Sequence, residues 1–330
     1  MNEVSGVKAA PYLSIVIPVY RGARTVGPLV ERLLGLLGSR RPLEIVLVDD
    51  ASPDESEKVC LELVAAHPHV VVYAALARNF GEHNAVMAGL RLARGAFVVT
   101  MDDDLQNPPE EVERLVAEAE RGHDVVYAQF ATKQHHWARN LGSRFNDAVA
   151  TRLLRKPRGL YLSTFRCLSR LVVDEVIRYE GPYPYVDGLV LRATSRIGTI
   201  RVRHDPRPQG SSGYTLAKLF ELWLTMSTSF SILPLRVVVA IGLAMSLVGV
   251  AVGVEVVFEK LYWPTHAVGW ASQMTAVILF SGIQLVVVGT IGEYLGRLLM
   301  TANRAPQTVV RRVVRGGDLA ADRSSVVQAS

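Results

Sequence analysis

Two long stretches without a charged residue limit what this chain can fold into. Val237 to Val254 reads VVVAIGLAMSLVGVAVGV, and Ala271 to Gly292 reads ASQMTAVILFSGIQLVVVGTIG. As a helix the first run spans roughly 27 Å at about 1.5 Å per residue, close to the thickness of a bilayer's hydrocarbon core. The connecting EVVFEKLYWPTHAVGW places Trp263 and Trp270 where interfacial aromatics are expected. These runs account for much of the mean hydropathy of +0.22. The alternative, two helices buried in a soluble core, fits less well, because both runs reach the length of a membrane span. A transmembrane hairpin is therefore expected.

Charge then sets its direction. After the second run come Arg297, Arg304, Arg311, Arg312 and Arg315 with no acid among them. By the positive-inside rule this tail is cytoplasmic, and a hairpin puts the large N-terminal part there too. The N-terminus lacks a basic start followed by an apolar core, so a signal peptide is not expected. The net charge of +5 is mild; it is weak evidence for nucleic acid, which is not expected as a partner, and it is compatible with phosphorylated ligands or anionic lipid. The two cysteines, Cys60 and Cys167, form no zinc spacing and fit a reducing compartment.

Before the apolar runs, short hydrophobic strands alternate with helical patterns. LSIVIPVY, LEIVLVDD, VVVYAAL, AFVVTMDDD and DVVYAQF read as strands, separated by TVGPLVERLLGLL, SEKVCLELVAAH, EHNAVMAGLRLA and PEEVERLVAEAERG as helices. This β-α-β-α order predicts an α/β fold with a mainly parallel sheet. Ligands of such sheets sit at the carboxyl ends of the strands. Tyr20, Asp49 with Asp50, Arg78 with Asn79, and Asp102 with Asp104 cluster there. Further on, LAKLFELWLTM has an apolar face formed by Leu216, Leu219, Phe220, Trp223 and Leu224, as expected of an interfacial amphipathic helix. Met87 and Met101 read as core, and His83, His135 and His136 as surface or loop residues.

Asp102, Asp103 and Asp104 are consecutive. On an extended strand Asp102 and Asp104 face one way and Asp103 the other. Two carboxylates on one face suit Mg²⁺, which is commonly held by one or two carboxylates together with substrate phosphates. The competing reading is an acidic helix start, with Asn107 as N-cap, Pro108 at the first position and Glu110 completing a capping box. Asp49 and Asp50, within DDASPD, could equally be turn residues.

Taken together, SIVIPVYRGARTVGPLV, IVLVDDASPDES, ARNFGEHNAVMAGLRLARGAFVVTMDDDLQNPPE and GIQLVVVGTIGEYLGR resemble a family 2 glycosyltransferase of GT-A (Rossmann-like) fold. More narrowly, the chain resembles the polyisoprenyl-phosphate glycosyltransferases, the group of dolichol-phosphate mannose synthase, GtrB and ArnC. The resemblance runs from about Tyr12 to Val310. It implies a GT-A domain over residues 1–210, a juxtamembrane interfacial helix over 211–233, two transmembrane helices within 234–296 (about 235–258 and 270–294) and a basic cytoplasmic tail over 297–330.

The same resemblance implies inverting transfer of one sugar from a nucleotide-sugar, UDP-linked by expectation, to a polyisoprenyl phosphate at the cytoplasmic membrane face. The cofactor is Mg²⁺ or Mn²⁺ held by Asp102, Asp104 and Gln106. Pro18, Tyr20, Asp50 and Ser52 would line the nucleobase and ribose pocket with Asp49 at its edge; Arg78, Asn79, Asp102 and Asp103 complete the donor side. Arg139 and Ser143 would bind the acceptor phosphate, Arg207 the phosphates at the reacting centre. Asp187 falls where a base would, and is taken as orienting or substrate-contacting. Relatives imply a homo-oligomer, a tetramer. Gly213 stands where many members carry a lysine, and the Q-x-x-R-W of chain-building relatives is missing, which argues for a single transfer. Two other readings remain open: another membrane lipid as acceptor, and an inactive nucleotide-binding membrane scaffold.

Overall fold

The computed structural model describes residues 10–130, 157, 159–203, 233–262, 269–303 and 306–316. It divides into two units, Met1–Tyr214 with Ala305–Ser330, and Thr215–Arg304. Arg139, Ser143, Arg207, Gly213 and the expected interfacial helix lie outside the described residues.

The first unit is built on one eight-stranded sheet: β1 (Leu13–Val19), β2 (Leu43–Asp49), β3 (Val71–Leu76), β4 (Phe97–Thr100), β5 (Val125–Phe130), β6 (Arg166–Ser169), β7 (Ile197–Val202) and β8 (Val310–Arg315). The order across it is β7-β5-β6-β4-β1-β2-β3-β8. β1 pairs in parallel with β2 and β4, β2 with β3, and β5 with β7; β6 and β8 run antiparallel to their neighbours. Because β1 to β4 are parallel, their carboxyl ends share one edge, which is where such a sheet binds ligands. β1, β2 and β3 are almost wholly buried, as expected of strands covered on both faces.

Helices α1 (Val26–Leu37), α2 (Ser56–Ala66), α3 (Glu82–Leu92) and α4 (Val112–Glu120) follow the first four strands, α4 after a short 3₁₀ turn over Pro109–Glu111. α1 turns Val26, Leu29, Val30, Leu33 and Leu37 inward at helical spacing. α3 lies close on the sheet because Gly89 has no side chain; a Cβ there would collide with Val16 and crowd Val48. Met87 and Met101 are buried in the core. α5 (Arg170–Val176) and α6 (Val186–Ala193) complete this unit.

Four sequence expectations change. The fourth strand ends at Thr100, so Asp102 to Asp104 lie in a bend and not on extended strand. Asn107 does not cap a helix; it is buried and turns its amide back toward Asp102. Glu110 pairs with Arg32 at 2.7 Å instead of closing a capping box. The basic tail is not all tail either: Val310–Arg315 returns as edge strand β8, with Val314 buried opposite Tyr73.

The second unit holds α7 (Leu233–Tyr262) and α8 (Trp270–Ala302), which contact one another. Val238–Glu255 and Phe280–Ala302 are long and apolar enough to cross a membrane, and neither window is buried in protein. Leu243, Leu247, Phe258, Leu285, Val288 and Leu298 are all exposed. Helices apolar all round and unburied match a membrane span better than a soluble core.

Candidate active site

Three loops meet at the carboxyl edge of the sheet. They follow β1, β2 and β4, and each holds one non-glycine residue in the left-handed region: Arg21 (φ 59°), Ala51 (φ 54°) and Leu105 (φ 62°). These are the only such residues among the described ones. Left-handed conformations are costly for residues with a Cβ and gather where a site demands them.

The β1 and β2 loops are stitched together by amides. Arg21 N donates to Ser52 Oγ (3.2 Å), Gly22 N to Ser56 Oγ (2.9 Å) and Ala23 N to Asp54 Oδ2 (3.3 Å). Asp49 accepts from Ser52 N (2.9 Å), as the turn role weighed from sequence requires, and from the Tyr73 hydroxyl (3.2 Å). Asp50 does something else. Its two oxygens accept from Phe80 N (2.7 Å) and Gly81 N (2.8 Å), fixing the loop that carries exposed Arg78 and Asn79. Burial raises the pKa of Asp50, and those two amides oppose the rise. Pro18 is the one half-buried residue of β1, and Tyr20 stands exposed just beyond the strand with the Arg21 guanidinium 5.4 Å from its ring centre.

The three aspartates have different surroundings. Asp102 accepts from the Thr164 hydroxyl (2.7 Å) and, at 3.5 Å, from the Asn107 amide. Asp103 points at the β1 loop and accepts from Tyr20 N; a Cβ on Gly22 would collide with its carboxylate. Asp104 accepts from Gln106 N (3.1 Å), which closes a turn around Leu105. Burial, then the charges of Asp102 and Asp104, push Asp103 up to about 7. Burial, with Asp104 adding to it, also raises Asp102.

Sequence reading missed four residues here. Glu82, at the start of α3, keeps open surface at the mouth of the cleft, yet enclosure by protein and the charge of Asp102 push it up to about 7. His83 lies on α3 and is half-buried: its ring meets Tyr185 edge-on at 5.2 Å, and enclosure by protein lowers its pKa to about 4. Thr164 holds Asp102. Arg166, on β6 opposite Thr100, is wholly buried and ion-paired with Asp187, which also accepts from the Tyr127 hydroxyl (3.1 Å). Nothing in FRCLSR or PYVDG announces a pair twenty-one residues apart; the two meet only because β6 and α6 converge.

Among the described residues, no group of three or more His, Cys, Asp or Glu is spaced to cage a metal. The arrangement does fit a cation completed by substrate. Asp102, Asp104 and Glu82 repel one another at the cleft. A divalent ion held by two carboxylates and the phosphates of a ligand would relieve that excess.

A mainly parallel sheet with acidic loops at its carboxyl edge, in a chain that also carries an apolar helix pair, defines an α/β protein with a ligand site at the strand ends. Residues 14–176 match the glycosyl transferase family 2 model, and 233–298 match the GtrB C-terminal hairpin. The chain belongs to the family 2 glycosyltransferases of GT-A type, in the polyisoprenyl-phosphate group. Among its relatives is the undecaprenyl-phosphate 4-deoxy-4-formamido-L-arabinose transferase of Proteus mirabilis (strain HI4320), 32% identical over 92% of this chain and 94% of the relative. The enzyme of the same name from Serratia proteamaculans (strain 568) is 33% identical over 95% and 96%. Of solved structures, glucosyl-3-phosphoglycerate synthase from Mycobacterium tuberculosis, in complex with Mn²⁺, UDP and phosphoglyceric acid, aligns with a TM-score of 0.49 at 18% identity, covering 66% of this chain and 76% of that one.

Proposed function

We propose that this chain transfers one sugar, with inversion, from a UDP-linked donor to a polyisoprenyl phosphate at a membrane surface. The observation that carries the proposal is the acidic bend Asp102–Asp104, anchored by Thr164 and Asn107, in a chain that continues into an apolar hairpin. The names of its relatives support the acceptor class.

Asp102, Asp104 and Gln106 would hold Mg²⁺ or Mn²⁺, which when bound offsets the charge that develops on the departing diphosphate. Tyr20, Ser52 and the Arg78–Asn79 loop line the donor side, and Asp50 keeps that loop in place through two backbone amides. Asp103 orders the β1 loop. Arg139, Ser143 and Arg207 are proposed to meet the acceptor and donor phosphates, as the family resemblance implies.

The acceptor needs no general base, because a phosphate monoester, with a second pKa of about 6, is largely ionised at neutral pH. Asp187 is consistent with this. Its carboxylate is committed to Arg166 and Tyr127, so it serves to order α6 and is not a free base. A hydroxyl acceptor would require such a base.

The chain leaves the sheet at β7 and rejoins it at β8, so an even number of spans lies between. With the arginines of the returning segment, this supports a cytoplasmic sheet domain on a plasma-membrane hairpin. The test is incubation of full-length protein with polyprenyl phosphate and a panel of labelled nucleotide-sugars, with lipid products read by mass spectrometry. A glycosyl polyprenyl phosphate is expected. Product on a neutral lipid would move the acceptor to another class. Binding of UDP with Mn²⁺ but no lipid product from any donor would leave only the scaffold reading.

A further inference from the structure

Gln307 is 5% exposed, although only Asn303 to Pro306 separate it from the end of the second apolar helix. Its Nε2 donates to the carbonyls of Gly181 (2.8 Å) and Tyr179 (3.4 Å). The Tyr179 carbonyl also accepts from Arg91 of α3 at 3.1 Å. Two carbonyl partners fix which end of the amide faces them. The other end, Oε1, is buried without a partner. A buried acceptor left unsatisfied is costly, so the side chain is held here by what its NH₂ group does.

Two residues later the same segment grips a second loop. Val309 accepts from Ala77 N (2.8 Å), and Val310 opens β8 opposite Leu76. Ala77 directly precedes Arg78 and Asn79. Residues 307–310 thus hold two loops of the site at once. One, 179–185, runs into α6 and Asp187; the other, 77–81, is the donor-side loop that Asp50 anchors.

We propose that Gln307 is a positioning residue for glycosyl transfer, setting the Asp187-bearing helix against the Arg78–Asn79 loop. The site is then completed by chain that has already passed through the apolar hairpin. This rests on the proposed function, so its test has one arm that needs no reaction.

Full-length Gln307→Glu and Gln307→Met are prepared in lipid nanodiscs. Met supplies no donor to Gly181 and retains side-chain length, and Glu supplies none when ionised. Expected is a fall in kcat of about tenfold, worth about 1.4 kcal/mol, while the Kd for UDP stays within about twofold and the unfolding midpoint within about 2 °C. Amide hydrogen exchange should quicken in residues 179–187 and 77–81 but not in α4 or β7. Unchanged kcat in both variants overturns the proposal, as does an equal loss of kcat, UDP binding and thermal stability, which would mark a purely structural residue. If Gln307→Glu fails to fold, Gln307→Met decides. If the wild-type protein transfers no sugar, the proposed reaction fails, and exchange alone judges the strap: faster exchange in both loops supports it, and unchanged exchange overturns it.

Discussion

At the exit of β4 three identical residues have three different environments, and their chemistry differs accordingly. Asp102 is bound by Thr164, Asp103 by the Tyr20 amide, and Asp104 by the Gln106 amide. Asp104→Asn is expected to abolish transfer. Asp103→Asn should cost less than about tenfold, since a carboxyl pushed up to about 7 is already well accommodated in neutral form, and Asn has the same shape. Initial rates of lipid product check this, and equal losses would contradict it. The Arg166–Asp187 pair calls for a different experiment. Arg166→Leu leaves a buried carboxylate uncompensated, a loss of about 3–5 kcal/mol. The double change Arg166→Met with Asp187→Leu should recover much of that stability in denaturant unfolding while transfer stays low.

Among the elements, β8 is the one that sequence patterning hid. VRRVVR reads as a basic tail, because only Val314 of its six residues is buried. What makes it a strand is the open edge of β3, which offers unpaired backbone groups. Tyr73 lies opposite Val314, and Arg312 reaches Glu57 at 2.7 Å. Val314→Asp should therefore lower the unfolding midpoint by several degrees, about 4 °C or more, whereas Val313→Asp, at an exposed position, should leave it near that of the unaltered protein. A comparable drop in both would mean that β8 is not held through its inward face. The opposite case is α3, whose position was written locally: GEHNAVMAGL carries the helical period and the Gly89 that lets it approach β1.

For the molecule as a whole, topology makes a prediction that charge counting alone does not. The chain re-enters the sheet at β8, so if the hairpin spans a membrane, as proposed, its two flanks lie on one side. Cysteine placed at Thr265, between the apolar helices, should react with an impermeant maleimide on intact cells, and cysteine at exposed Arg311 only after permeabilisation. The native Cys60 and Cys167 are buried and should give little background. Reaction of both positions from outside would break this topology.

Much of this was legible because it is local. Strand and helix periods, the two uncharged runs and the acids at strand ends are patterns within a dozen residues, and backbone sterics and hydrophobic spacing convert them directly into elements. The strand order, the pairing of Arg166 with Asp187, the return of Asn107 to Asp102 and the grip of Gln307 on the 179–185 loop are choices of partner across long separations. Such partners are selected by which buried polar groups and strand edges would otherwise go unpaired. Local pattern was therefore enough for a mainly parallel α/β domain, an apolar hairpin and a cluster of acids after the fourth strand. Which side chains hold those acids in a bend, and the return of the chain beyond the hairpin to the sheet edge and the 179–185 loop, were settled by tertiary contacts between distant residues.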